Sequence, residues 1–148
     1  MTLLDVAINI ATKAHAGQKR KNGEPYINHP KRVADLVDGE DKVVAWLHDT
    51  LEDTNITEIS LTEENIPDYF IKSLKYLTRY RDESYYHFIM SIINNGPDSA
   101  IRVKIADIKD NMSDLEEGSM KDKYRFAAHL LIDELNCRTG EGCKKWLS

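Results

Sequence analysis

Apolar residues recur at helical spacing along almost the whole chain, and no stretch alternates with the period of two that marks a strand. Leu3, Ala7, Ile10 and Ala14 predict a helix over 3–15, with Gly17 as its stop signal. Val33, Leu36 and Val37 predict a short helix over 30–37, and Pro30 suits its first turn. Val44, Leu47 and Leu51 predict a central helix over 43–54, capped by Asp41. A capping box at Ser60 and Glu63, with Thr62 competing, predicts the start of a helix carrying Ile66, Phe70, Leu74 and Leu77 and ending near Arg79. Residues 84–95 predict another helix, bounded by Gly96 and Pro97. Ile101, Ile105, Ile108, Met112 and Leu115 form the stripe of a helix capped by Asp98 or Ser99. Tyr124, Ala127, Leu131 and Leu135 form that of a last helix over about 120–136. Two stretches read as loops, GQKRKNGEPYINHP over 17–30 and TNITEIS after Asp53, while 138–148 reads as a loosely ordered tail. The chain is expected to be all-α, a single domain over 1–148 with about seven helices.

Composition narrows the partners. With 41% hydrophobic and 30% charged residues, the chain has enough apolar surface for one core and a well-solvated exterior. A net charge of −5 argues against a general nucleic-acid binder, but not against a small anionic substrate met by local basic groups. No run reaches the length of a membrane span, and MTLLDVAINIATKAH carries an acid and no basic leader, so a cytoplasmic protein without a membrane partner is expected. Cys137 and Cys143 match neither a CxxC motif nor a disulfide framework, which makes free thiols the expectation.

The chemistry concentrates in VVAWLHDTLEDT, residues 43–54. His48 and Asp49 are adjacent, and Glu52 and Asp53 follow each by four positions, one helical turn on. One imidazole and three carboxylates in a single patch repel one another unless a cation neutralises them, so a divalent metal is the economical explanation. A solvated acidic face is the bland alternative, and further ligands elsewhere decide between the two. Such ligands exist. The basic run Lys19, Arg20, Lys21 leads into His29 at a helix entrance, and Lys104, Asp107 and Asn111 share one side of a later helix. His15 reads as a packed or capping histidine, and His87 as a core or surface residue.

AHAGQKRKNGEPYINHP, AWLHDTLEDT and VKIADIKDN, taken together and in this order, resemble the HD-domain superfamily of metal-dependent phosphohydrolases. Within it the chain is most similar to the hydrolase domain of RelA/SpoT-type enzymes and their small stand-alone relatives, which remove the 3′-pyrophosphate of (p)ppGpp. The resemblance runs from about residue 7 to residue 115. It implies a helical HD-domain bundle and one divalent metal held by His29, His48, Asp49 and Asp107. It implies Glu52 and Asp53 as the catalytic acidic pair, which orient a metal-activated water and shuttle its protons. Arg20 and Lys21 match the basic pair near the substrate phosphates, Asn111 a polar residue facing substrate, and Lys123 and Tyr124 further substrate contacts; Lys104 joins them from its place beside Asp107. Two imidazoles and two carboxylates suit Mn²⁺ or Fe²⁺ and accept Zn²⁺, Co²⁺ or Ni²⁺; the resemblance favours Mn²⁺. The partner implied is a small-molecule nucleotide, not a nucleic-acid polymer. The family's final ligand is usually followed by a basic residue and then an aromatic, where this chain has Ile108 and Asp110, and Ser113 replaces a later basic residue. That departure leaves a phosphohydrolase acting on another nucleotide or phosphorylated metabolite as the alternative, and a non-catalytic nucleotide-sensing module as the alternative of a different class.

Overall fold

The computed structural model describes residues 1–140, and every regular element among them is helical. In chain order these are α1 (Leu3–Ala14), α2 (Asn28–Asp35), α3 (Asp41–Leu47), α4 (Thr50–Asp53), α5 (Glu58–Glu63), α6 (Asp68–Tyr76), α7 (Tyr85–Asn95), α8 (Asp98–Ser113) and α9 (Ser119–Thr139). The all-α expectation holds. Helix α3 lies at the centre, with α1, α2, α6 and α8 packed around it, and α9 covers α8 from the far side. Val44, Leu47, Ile101, Val103, Ile108 and Leu131 are fully buried where these helices meet.

The central helix departs from its predicted form. The apolar period runs through 43–54 unbroken, but the backbone turns at His48 and Asp49 and splits the segment into α3 and α4. Side chains replace the helical partners lost at the break. His48 Nδ1 donates to the Ala45 carbonyl at 2.7 Å, and Thr50 Oγ1 donates to that of Leu47 at 2.8 Å. One helical bond survives, from the Asp53 amide to the Asp49 carbonyl at 2.9 Å, and keeps those residues one turn apart.

Other boundaries shift for local reasons. Asp41 does not cap α3; its carboxylate pairs with Arg102 instead. The expected capping box at Ser60 and Glu63 forms three residues earlier, between Thr57 and Ser60, and opens the short α5 inside the predicted loop. Asn65, at φ 62, then turns the chain toward α6. Pro97 rather than Asp98 or Ser99 is the N-cap of α8, and Ser99 Oγ meets Ser73 Oγ at 2.6 Å. Residues 138 and 139, expected in the tail, are helical; the rest of the tail from 141, with Cys143, lies outside the described residues. Cys137 is disulfide-bonded, which corrects the expectation of a free thiol there. No described helix is long and apolar enough to cross a membrane.

The loop between α1 and α2 is folded as tightly as a helix. An antiparallel bridge joins Lys19 to Pro25, with bonds from the Arg20 amide to the Glu24 carbonyl and from the Tyr26 amide to the Gln18 carbonyl, both at 2.9 Å. Gly23 closes this turn at φ 89, a conformation that favours glycine. Arg20, Glu24 and Tyr26 are thereby held above α2 and the broken central helix.

Arg138 fastens the other end. Its guanidinium donates to the carbonyls of Ile93 and Gly96 at 2.8 and 2.7 Å, and to the carboxylates of Asp98 and Glu134. Arg138→Ala strips two carbonyls of their partner at the corner between α7 and α8. It is expected to lower stability by about 1–3 kcal/mol, read as a lower urea midpoint with an unchanged slope.

Candidate metal centre

Helices α2, α3 and α8 each deliver one buried side chain to a common point. His29 enters at the first turn of α2, His48 ends α3, and Asp107 lies midway along α8. His29 Nε2, His48 Nε2 and a carboxylate oxygen of Asp107 lie within 4.8 Å of one another. Asp107 Oδ1 is 2.8 Å from His29 Nε2 and 3.3 Å from His48 Nε2. Asp49 completes the ring, its Oδ2 lying 3.0 Å from His48 Nε2 and 3.6 Å from His29 Nε2. The break between α3 and α4 is what turns Asp49 inward beside His48.

Each imidazole is oriented through its other nitrogen. His48 Nδ1 is committed to the Ala45 carbonyl, and His29 Nδ1 to Asp110 Oδ2 at 2.6 Å. Partners of this kind fix the tautomer so that the free Nε2 faces a cation. Asp110 is itself gripped by Arg32, whose Nε donates to Oδ1 at 2.7 Å and whose Nη2 donates to Glu24 at 2.8 Å. Asp107 has its own support: Lys104 Nζ donates to Oδ2 at 2.7 Å and Asn111 Nδ2 to Oδ1 at 3.2 Å. The Tyr26 hydroxyl donates to Asp49 Oδ2 at 2.6 Å and reaches Asp53 Oδ2 at 3.5 Å.

The charges are strongly coupled. Burial alone would strip the proton from His48, but Asp49 and Asp107 outweigh it and hold that proton far more tightly than on a free imidazole. Burial likewise opposes ionisation of Asp107, yet Lys104 and His48 keep it well below the ordinary carboxylate range. Against the same burial, His48 holds Asp49 at about 2. A buried, mixed set of imidazole and carboxylate donors, compensated by imidazole protons and one lysine, is a donor set that suits a divalent cation.

Glu52 and Asp53 stand at the open side of this ring. Burial, with Asp53 and Asp49 beside it, raises the proton affinity of Glu52 against the Arg79 amide, which donates to Oε1 at 2.6 Å. Burial and Asp49 raise Asp53 similarly. Both are thereby better proton acceptors than free carboxylates.

The expected substrate contacts fall into two groups. Arg20, Lys21, Asn111 and Tyr124 line one cavity of about 410 Å³, together with Tyr26 and Asp114. Lys104 and Lys123 are not among its lining residues; Lys104 is bound to Asp107, and Lys123 stacks against Tyr85 and Tyr124. Arg20 is already engaged, lying within 3.4–3.7 Å of Glu24, Asp110 and Asp114. His15 is buried with Nδ1 on Gln18 Oε1 at 2.9 Å, and His87 is exposed.

Sequence reasoning missed Tyr26, Arg32 and Asp110. Tyr26 stood in the quoted motif, three residues before His29. Arg32 follows His29 by three residues and Asp110 follows Asp107 by three, so each is one turn from a ligand on the same helix face.

No family model matches the chain. Among curated proteins, the Haemophilus influenzae guanosine-3′,5′-bis(diphosphate) 3′-pyrophosphohydrolase is 38% identical over 80% of this chain. The Aquifex aeolicus protein of the same name is 35% identical over 74% of it, and the Escherichia coli bifunctional (p)ppGpp synthase/hydrolase SpoT is 34% identical over 84%. The chain spans 17–19% of the length of these relatives. A solved structure of a metazoan ortholog of SpoT, described as hydrolysing ppGpp, superposes with a TM-score of 0.72 over 91% of this chain and 86% of its own, at 22% identity. That likeness shows the shared helical fold.

Asp110 orients His29 without touching the ring of donors. Asp110→Ala is expected to weaken Mn²⁺ binding about 10- to 100-fold while the far-ultraviolet circular dichroism stays that of the parent. Calorimetric titration with MnCl₂ reads the effect; an unchanged affinity refutes the orienting role.

Proposed function

From its kinship with the SpoT-type pyrophosphohydrolases, we propose that this chain is a metal-dependent phosphohydrolase that removes the 3′-pyrophosphate from guanosine-3′,5′-bis(diphosphate). The observation that carries this reading is the buried set of His29, His48 and Asp107, within 4.8 Å, in a chain that matches proteins named for this activity over most of its length. Asp49 joins these three as the fourth protein ligand. When bound, the divalent ion supplies Lewis acidity to a water and to a phosphoryl oxygen. Mn²⁺ is the ion we assign, from the mixed nitrogen and oxygen donors and the family resemblance.

The chain's own groups carry the proton and the charge. Glu52 and Asp53, whose proton affinities are raised, orient the attacking water and accept its proton. The water oxygen bonds to the phosphorus that carries the ribose 3′-oxygen. The bond between that phosphorus and the 3′-oxygen breaks, and the oxygen leaves as a hydroxyl with a proton returned from the acidic pair. The products are GDP and pyrophosphate. Arg20, Lys21, Asn111 and Tyr124 hold the rest of the nucleotide in the cavity beside α8. The domain takes a small-molecule nucleotide, without nucleic-acid polymer or membrane, in the cytoplasm.

One observation favours a second reading within the same chemistry. Arg20 faces three carboxylates, and one of them, Asp114, lines the cavity. A less positive pocket suits a nucleotide or phosphorylated metabolite of lower charge than ppGpp.

Anion-exchange analysis of Mn²⁺-loaded protein incubated with ppGpp, pppGpp and other nucleotides separates the readings. Release of pyrophosphate and GDP, abolished by chelation, is expected. Glu52→Ala is expected to retain Mn²⁺ and lose about 10²- to 10⁴-fold in turnover. Turnover of another nucleotide alone favours the second reading. Metal binding without any turnover moves the assignment to a nucleotide-sensing module.

A further inference from the structure

Tyr85 opens α7 beside the metal centre, and its hydroxyl is buried without a hydrogen-bond partner among the described residues. An orphaned hydroxyl costs stability, so it marks a position awaiting a partner. It lies close enough to Lys104 and Asp107 to feel both charges, and Lys104 in turn holds Asp107 at 2.7 Å. Two cations flank the same ring. The Lys123 ammonium is 4.5 Å from the Tyr85 centroid, and the Arg79 guanidinium carbon 5.7 Å from it. Neither cation forms an ion pair among the described residues. The Arg79 amide also anchors Glu52 at 2.6 Å, so this cluster borders the acidic pair.

Two cations without counter-charge around a buried hydroxyl form a seat for an anion with several acceptor oxygens. Its position matters. Along α8, Lys104 precedes Asp107 by three residues and Asn111 follows it by four. The cluster therefore lies on the Lys104 side of the metal ligands and borders the cavity of Arg20 and Asn111 through Tyr124, whose ring centroid is 5.8 Å from that of Tyr85. Lys123, which covers the ring, is an exposed lysine whose flexible stem lets its ammonium swing onto an incoming oxygen.

We infer that Arg79, Tyr85 and Lys123 bind the outer phosphate of the pyrophosphoryl group while its inner phosphorus reacts, so that they select pyrophosphate over monophosphate esters. This rests on the proposed phosphohydrolase reading and adds the residues that read the length of the phosphate chain. None of the three donates to a metal ligand, and the selection they exert is on binding.

The test uses Mn²⁺-loaded protein and two probes, inorganic phosphate and inorganic pyrophosphate added as its magnesium complex, each followed by calorimetry. The parent chain is expected to bind pyrophosphate at least about 10-fold tighter than phosphate. Tyr85→Phe and Arg79→Met are each expected to weaken pyrophosphate about 5- to 20-fold and to leave phosphate and Mn²⁺ affinities unchanged. Tyr85→Phe also removes a hydroxyl that bonds to nothing among the described residues, so its melting temperature is expected to equal or exceed that of the parent. Unchanged pyrophosphate affinity in both variants, or equal affinity of the parent for both probes, overturns the inference. So does an equal loss for both probes, which puts these residues on the reacting phosphate. The readout is binding without turnover. Discrimination that persists in a protein inert toward ppGpp discards the ppGpp assignment and keeps the seat; turnover of ppGpp without discrimination does the reverse.

Discussion

A carboxylate at the centre of a helical bundle holds only if its charge is matched, and Asp107 imposes that condition on most of this fold. It is buried midway along α8 and takes contacts from His29, His48, Lys104 and Asn111. Those partners come from α2, α3 and α8 itself, so the need to compensate one charge fixes how three helices meet. The apolar core around them, with Val44, Leu47 and Ile108 fully buried, excludes the water that would otherwise do the compensating. Core and site are therefore one construction.

A second layer of polar groups holds the first in shape. His29 bonds to Asp107 through one nitrogen and to Asp110 through the other, so two turns of α8 clamp a single imidazole. Arg32 then ties Asp110 back to the loop through Glu24. Residues one turn beyond each ligand close a circuit from α2 to α8 and back. Such a circuit is rigid because each member already has its partners, and a partly satisfied one costs more than an apolar core. On the other side, Tyr26 joins Asp49 to Asp53 and so links the buried cluster to the acidic residues at its edge.

The clustered residues His29, His48, Asp49 and Asp107 were legible in the sequence because each sits in a short, ordered motif whose spacing survives folding. His48 and Asp49 remain adjacent whether the helix continues or breaks. The break itself was hidden, since Leu47 and Leu51 keep the apolar period across it, and only the polar side chains of His48 and Thr50 replace the lost backbone bonds. Helix α5 was hidden for the opposite reason. It is short and buries only Leu61, too little periodicity to stand out from a loop. Arg32 and Asp110 escaped notice because neither is informative alone. Their meaning is a contact across 78 residues of sequence, and only the packing of α2 on α8 brings it about. The ring of Tyr85 is packed against Phe88 and Tyr124, as an aromatic on an amphipathic helix commonly is. The orphaned hydroxyl at its end is a property of the folded surroundings.

The electrostatics along α8 show how a chain of net charge −5 still gathers cations locally. On the Asn111 side, Arg20 is shared among Glu24, Asp110 and Asp114, while Lys19 and Lys21 line the same cavity and keep its wall basic. On the Lys104 side, Arg79 and Lys123 are stacked on aromatic rings rather than paired with carboxylates, and aromatic faces hold a cation without cancelling its charge. Asp110 brings negative charge within 3.7 Å of Arg20 while securing His29. This one carboxylate thus lowers the positive potential at Arg20 and fixes the His29 ring. Tyr85 and Tyr124 meet edge to face with ring centroids 5.8 Å apart, and Lys123 lies over both, so the two groups of cations adjoin across one aromatic pair.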